Sequence, residues 1–159
     1  MLSVDLIYLG NEKEKYYNEA ADEYIKRLSA YCSFKQKNIK DERLSNEPSQ
    51  NEINSALEKE SKKIFEALPD RSYKIAMCVE GKQMSSERLA RTIEEASMTH
   101  SDICFIIGSS YGLSPKVKAA ADLRLSFSEL TFPHQLLRVI LLEAVYRAFN
   151  IIAGTKYHK

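Results

Sequence analysis

Apolar and polar residues follow two different rhythms along this chain, and the switches between them outline an α/β protein. Ser3 to Leu9 sets Val4, Leu6 and Tyr8 on one side and Ile7 and Leu9 on the other, the period of two of a strand, and stops at Gly10-Asn11. Between Glu12 and Tyr31 the rhythm becomes helical: Tyr17, Ala20, Tyr24 and Leu28 recur on one face, Tyr16, Ala21 and Ile25 widen it, and Lys, Glu and Arg fill the other. Phe34 to Lys40 fits a short edge strand, and the polar stretch Asp41 to Gln50, with Pro48, fits a loop. Ile53, Leu57, Ile64 and Leu68 then line a helix over Asn51 to Leu68, closed by Pro69-Asp70.

The second half repeats the alternation with stronger signals. Tyr73 to Val79 reads as a strand, Ser85 or Ser86 as the cap of a helix whose apolar face carries Leu89, Ile93 and Ala96, and Asp102 to Ile107 as another strand. That last run is apolar without alternation, as expected for a strand covered on both faces. Ser114-Pro115 opens a short helix, Lys116 to Ala121, by pairing a capping hydroxyl with proline at the first helical position. Leu123 to Phe127 gives a fourth core strand. Leu136, Leu137, Ile140, Leu141, Ala144, Val145 and Phe149 stripe a long helix from Phe132 or Pro133 to Ala153, ended by Gly154. The fold class is therefore α/β: a mainly parallel sheet with helices on both faces, forming one domain over residues 1–159. Such sheets bind ligands beyond the carboxyl ends of their strands. The three strongest strands end at Glu80-Gly81, Gly108-Ser109 and Ser128-Glu129, so their loops can converge on one pocket.

Charge and composition narrow the function classes. Charged residues make up 28% yet the formal net charge is only +1, so a nucleic-acid ligand has to meet a local basic patch. Asp41 to Glu60 is acidic, whereas the tail Thr155-Lys156-Tyr157-His158-Lys159 has no acid. No apolar run approaches the ~20 residues that span a bilayer, and the N-terminus lacks a signal-like pattern, so a cytoplasmic address and no membrane partner are expected. Cys32, Cys78 and Cys104 match no disulfide framework, and Cys78 and Cys104 read as small buried hydrophobes. His100, His134 and His158 have no metal-ligand spacing, so no metal is expected. No GxSxG elbow supports a serine hydrolase.

Three strand-end segments, two arginines and the C-terminal tail carry candidate chemistry. In Gly108-Ser109-Ser110-Tyr111-Gly112, Gly108 permits close backbone approach after a buried strand and Gly112 suits a positive φ; it is neither a Walker loop nor a dinucleotide fingerprint. Gly81 in Glu80-Gly81-Lys82 is either a turn or a second close approach. Ser126, Ser128 and Thr131 among Phe127, Leu130 and Phe132 can surround an adenine ring. Arg138 and Arg147 lie nine residues apart, roughly 90° around a helix axis, so they need not share a patch; Arg147 fits an ion network with Glu143 as well as a ligand role. Tyr157, His158 and Lys159 combine stacking, hydrogen bonding and charge.

Taken in order, Glu80-Gly81-Lys82, Gly108 to Gly112, Leu125-Ser126-Phe127-Ser128-Glu129-Leu130-Thr131-Phe132-Pro133-His134-Gln135, Tyr146-Arg147-Ala148 and the terminal Tyr157-His158-Lys159 resemble the bacterial ribosomal RNA large-subunit methyltransferase H family over essentially the whole chain. The resemblance implies a knotted (SPOUT) α/β methyltransferase with a C-terminal trefoil knot, which periodicity does not reveal. It also implies a homodimer, S-adenosylmethionine as methyl donor, and N3 of a pseudouridine in 23S ribosomal RNA as target; assembled ribosomes are the expected context, and the sequence leaves the assembly stage open. Carried over residue by residue, Met77, Gly108 and the run Phe127, Ser128, Glu129, Leu130, Thr131 and Phe132 are expected to bind the cofactor. Arg138, Tyr157, His158 and Lys159 are expected to align substrate, His158 being a candidate proton carrier. The family commonly has Gly-Gly where this chain has Gly108-Ser109, which confines the backbone there to ordinary dihedrals and alters cofactor packing. Two alternatives stand beside this reading: a non-enzymatic ribosome-binding or assembly factor on the same scaffold, and a phosphoacceptor domain, the latter disfavoured because Leu9-Gly10-Asn11-Glu12 offers no acidic cluster.

Overall fold

A computed structural model describes residues 1–159. Five strands, β1 (Ser3–Leu9), β2 (Ser33–Ile39), β3 (Tyr73–Lys82), β4 (Asp102–Ile107) and β5 (Leu123–Leu125), form one sheet in the order β2-β1-β4-β3-β5, with every neighbouring pair parallel. Five helices connect them: α1 (Lys15–Leu28), α2 (Gln50–Ala67), α3 (Ser86–Ser97), α4 (Pro115–Ala120) and α5 (His134–Ala153). The α/β alternation and the two-sided cover expected from sequence are both present.

β4 lies in the middle of the sheet, and its side chains build both cores. Ile103, Phe105 and Ile107 point into a larger cluster with Leu6, Ile75, Leu89, Ile93, Leu141 and Val145, under α1, α3 and α5. Cys104 and Ile106 point the other way, into a smaller cluster with Ile7, Leu9, Ile64, Leu113 and Val117, under α2 and α4. Each large apolar side chain so buried contributes about 1.5–3 kcal/mol over its exposed state, which explains why β4 carries no polar residue after Asp102.

Local chemistry fixes the helix ends. Ser49 caps α2 in a reciprocal capping box with Glu52, Ser85 caps α3 through Arg88 N–H, and Ser114 caps α4 through Val117 N–H. Gly154 closes α5 with φ of 71°. α1 is shorter than the expected Glu12 to Tyr31: Glu12 is held outside the helix, its carboxylate accepting from Tyr8 Oη–H and its carbonyl from Asn18.

The largest departure from the sequence reading is at β3 and β5. β3 continues to Lys82 instead of stopping at Val79, and β5 ends at Leu125 instead of Phe127. The end of β3 bends back onto β5: Leu125 pairs with Met77 and again, after an irregularity, with Lys82, and Ser126 N–H donates to the Lys82 carbonyl at 3.0 Å. Gly81 sits at this junction. A Cβ there would stand 2.8 Å from the carbonyl carbons of Arg124 and Leu125, so the glycine serves a chain-to-chain approach.

Gly81→Ala should accordingly cost about 1–3 kcal/mol through overpacking against backbone that cannot swing aside. Urea denaturation is the measurement, and an unchanged midpoint would show that the β3–β5 junction does not depend on this contact.

Candidate functional site

The carboxyl ends of β3, β4 and β5 open onto a cavity of about 680 Å³, within the range of small-molecule sites. Three segments line it, as the strand ends suggested: Met77 to Glu80, Ile107 to Leu113, and Leu125 to His134, with Leu137 from the first turns of α5 closing one wall. Met77, Ile107, Leu113, Phe127, Phe132 and Leu137 make its apolar surface. At the rim Lys118 pairs with Glu80 and holds that carboxyl below its ordinary pKa.

Of the expected cofactor residues, Met77, Gly108, Phe127, Ser128, Leu130, Thr131 and Phe132 all line this cavity, and Glu129 does not. The hydroxyls of Ser126 and Ser128 are engaged within their own turn: Ser126 Oγ–H donates to the Ser128 carbonyl and Ser128 Oγ accepts from Leu130 N–H, each at 3.0 Å. They shape the segment, leaving its backbone groups, Thr131 and the aromatic faces to meet a ligand. Cys78, expected as a buried hydrophobe, is only half-buried and lines the cavity, whereas Cys104 is fully buried as expected.

The two glycines of the β4 loop serve different needs. Gly112 has φ of 81°, the left-handed conformation expected of it. At Gly108 an added Cβ would lie 2.4 Å from the Gly112 carbonyl oxygen, so its close approach is to the loop's own backbone. Ser109 keeps an ordinary φ, as a residue with a Cβ should. Its hydroxyl donates at 3.0 Å to Oε1 of Glu60, a carboxyl that is 3% exposed and also accepts from Glu42 N–H at 2.9 Å. Burial pushes the Glu60 pKa up. Sequence reasoning missed Glu60, whose helical spacing resembles that of any solvent-facing glutamate.

Arg138 is placed differently from the expectation. It is 1% exposed, absent from the cavity walls, and caged: its guanidinium lies over the Tyr8 ring at 4.6 Å and donates to Asn18 Oδ1 at 2.6 Å, Gln36 Oε1 at 3.2 Å and Tyr8 Oη at 3.4 Å. Burial lowers its pKa. Direct contact with a substrate is incompatible with this cage; the guanidinium instead ties α5 to α1, β1 and β2.

Tyr157 and His158 are brought together with Arg147, for which an ion network and a ligand role were both open. Arg147 donates to Glu143 at 2.7 Å, stands 4.7 Å over the Tyr157 ring and lies 3.3 Å from His158 Nδ1. Tyr157 Oη–H donates to the other Glu143 oxygen at 2.7 Å, which pushes the phenol up to about 12 and keeps it a proton donor at neutral pH. His158 Nε2 lies 2.7 Å from Glu87 on α3. Because Arg147 can only donate, His158 Nδ1 is the acceptor and Nε2 carries the hydrogen in this arrangement. Lys159 is exposed at the chain end. The cluster contributes no wall to the cavity of its own chain: Leu137, the last cavity residue of α5, and Arg147 stand ten positions apart, roughly 15 Å along the helix at 1.5 Å per residue.

Comparisons with known proteins agree with this architecture. A solved structure of a methylase family protein from Haemophilus influenzae superposes with a TM-score of 0.54 at 12% identity, covering 99% of this chain and 70% of that one, which supports the fold. Proteins named ribosomal RNA large subunit methyltransferase H from Streptococcus thermophilus, Limosilactobacillus reuteri and Clostridioides difficile are 46%, 43% and 44% identical, each over 99% of this chain and 100% of the relative. The family model described as predicted SPOUT methyltransferase matches residues 2–158, and the chain belongs to the SPOUT methyltransferase family.

Proposed function

We propose that this protein methylates N3 of a pseudouridine in large-subunit ribosomal RNA, taking the methyl group from S-adenosylmethionine. The observation that carries the reading is the cavity built from the ends of β3, β4 and β5 in a chain of a methyltransferase family. Its largely apolar walls suit an adenine ring and the hydrocarbon arms of a sulfonium donor. The family's enzymatic character favours transfer over the binding-only alternative. We further propose that residues 1–159 form a single knotted unit, that it works in the cytoplasm as a homodimer, and that it acts on assembled ribosomes.

S-adenosylmethionine supplies an electrophilic methyl group on a sulfonium centre, and N3 must approach it in line with the departing sulfur. The protein's main contribution is therefore positioning. Phe127, Leu130 and Phe132, which line the cavity, would pack against the donor, and Met77 and the β4 loop would bound its depth. N3 loses its proton as it gains the methyl group, and negative charge develops on the flanking carbonyl oxygens. Arg147 and the protonated Tyr157 are suited to stabilise that charge, with His158 and Lys159 binding or aligning the nucleotide. For His158 to take the proton it must first release Arg147 from Nδ1, its acceptor nitrogen. The separation of tail and cavity along α5 supports the dimer: the tail of one subunit completes the cavity of its partner.

Transfer of radiolabelled methyl to ribosomes and to isolated ribosomal RNA, followed by nucleoside mapping, tests the proposal; N3-methylpseudouridine is the expected product, and label in any other nucleoside refutes the assigned target. Deleting Tyr157 to Lys159 should lower transfer at least tenfold while donor affinity stays within about twofold and light scattering still reports a dimer. A truncated protein with wild-type turnover removes the tail from the mechanism. Gly108→Val is a poor probe of donor contact, since the new side chain strikes Gly112 first.

The cysteines give a test that needs no substitution. Burial pushes the Cys32 and Cys104 thiols up to about 11 and about 12 and removes both from solvent. Iodoacetamide at pH 8 should thus label Cys78 alone in the native protein, and saturating S-adenosylmethionine should slow that labelling at least fivefold. Peptide mapping reads the site; unprotected labelling of Cys78 would move the donor out of this cavity.

A further inference from the structure

A second concavity of about 650 Å³ lies on the other side of the β4 loop, sharing Ser109, Ser110 and Tyr111 with the first. Its remaining walls come from Asn11 and Lys13 after β1, the segment Lys40 to Ser45 after β2, and one face of α2. The topology gives this location meaning. β1 and β4 are neighbours, but the chain leaves β1 toward β2 on one side and leaves β4 toward β5 on the other. The crevice therefore sits where connections diverge at the carboxyl edge of a parallel sheet, the position where open α/β sheets form ligand sites.

Its charges favour an anionic occupant. Lys13, Lys40 and Arg43 line it, all exposed, and none makes an ion pair. The acids among them are largely answered from within: Glu42 pairs with Lys63 at 3.3 Å, and Glu60 accepts from Glu42 N–H and Ser109 Oγ–H while burial raises its pKa. Asp41 alone stands against the three cations. Tyr111, 47% exposed on the shared wall, offers a ring face to a base.

We propose that this second groove is a binding site for the single-stranded RNA that flanks the target nucleotide, with Lys13, Lys40 and Arg43 on its phosphates and Tyr111 stacked on a base. The inference rests on the ribosomal RNA methylation reading and extends it. A strand crossing the β4 loop is held at the groove while the target base turns into the donor cavity, so the loop separates donor from grip. Single strands are bound through backbone charge and base stacking, and each neutralised phosphate adds about 0.7 to the slope of log affinity against log salt.

The test uses the full chain and a fluorescently labelled single-stranded fragment of large-subunit ribosomal RNA, with binding read by anisotropy across a salt series. The variant K13Q/K40Q/R43Q should bind at least tenfold more weakly than wild type, with a salt slope reduced by about 2 for three lost phosphate contacts. The variant K35Q/K62Q/R71Q, which removes the same charge outside the groove, should stay within about twofold of wild type. Calorimetric titration with S-adenosylmethionine and a thermal melt confirm that the groove variant is folded and keeps its donor site. Unchanged affinity and slope in the groove variant overturn the inference, as does an equal loss in the control, which would reduce the effect to net charge. Methyl transfer by the wild type is scored separately: its absence counts against the proposed activity while the binding data still decide the groove.

Discussion

The rest of this molecule depends on the burial of β4 on both faces. With Ile103 to Ile107 covered from above and below, β4 needs helices on each side, and parallel neighbours reach it only through crossover connections. Every strand then ends at the same edge of the sheet. The proposed donor cavity and the second groove are two consequences of that one arrangement, separated by the loop that leaves β4 itself.

That loop must hold its form while open to solvent on two sides. It does so through contacts that differ in kind: Gly108 and Gly112 bring its two ends within backbone contact, Leu113 and Ser114 anchor its exit in the smaller core, and Ser109 fastens its middle to Glu60. Glu60 in turn accepts from the backbone at Glu42, so one buried carboxyl links the β4 loop to the segment after β2. A buried carboxyl is tolerable here because hydrogen-bond donors answer both of its oxygens. Ser109 is thereby held by a side-chain partner, with ordinary backbone dihedrals.

α5 sets the distances in the site. Its first turns both wall the proposed donor cavity and carry Arg138 into a cage of Tyr8, Asn18 and Gln36, and its later turns gather Glu143 and Arg147 with the tail. Since a helix is stiff, the tail and the cavity of one subunit stay apart, and the proposed dimer follows as the economical way to unite them. The buried guanidinium of Arg138 ties the helix to β1, α1 and β2, which fixes the position of α5 on the sheet.

Much of this was legible in the residues themselves. Period-two and period-3.6 patterns, with an unbroken apolar run at β4, outlined most of the elements because side-chain direction along a strand or helix is a local property, and Ser85-Ser86, Ser114-Pro115 and Gly154 marked ends because capping is satisfied within a few residues. The convergence of three strand ends followed from the parallel order that such alternation implies. The ordered motifs carried the family, since they run in sequence and match one by one. What only the tertiary structure decided depends on groups far apart in the chain. β3 outruns its apolar pattern because Leu125 and Ser126 return to it; Gly81 and Gly108 are each pressed against backbone from elsewhere in the chain; Arg138 is sealed by Tyr8, Asn18 and Gln36; Glu60 accepts from a loop 49 residues away. Local pattern reports which way a side chain points, and burial, charge state and partnership depend on what the rest of the chain brings to that point.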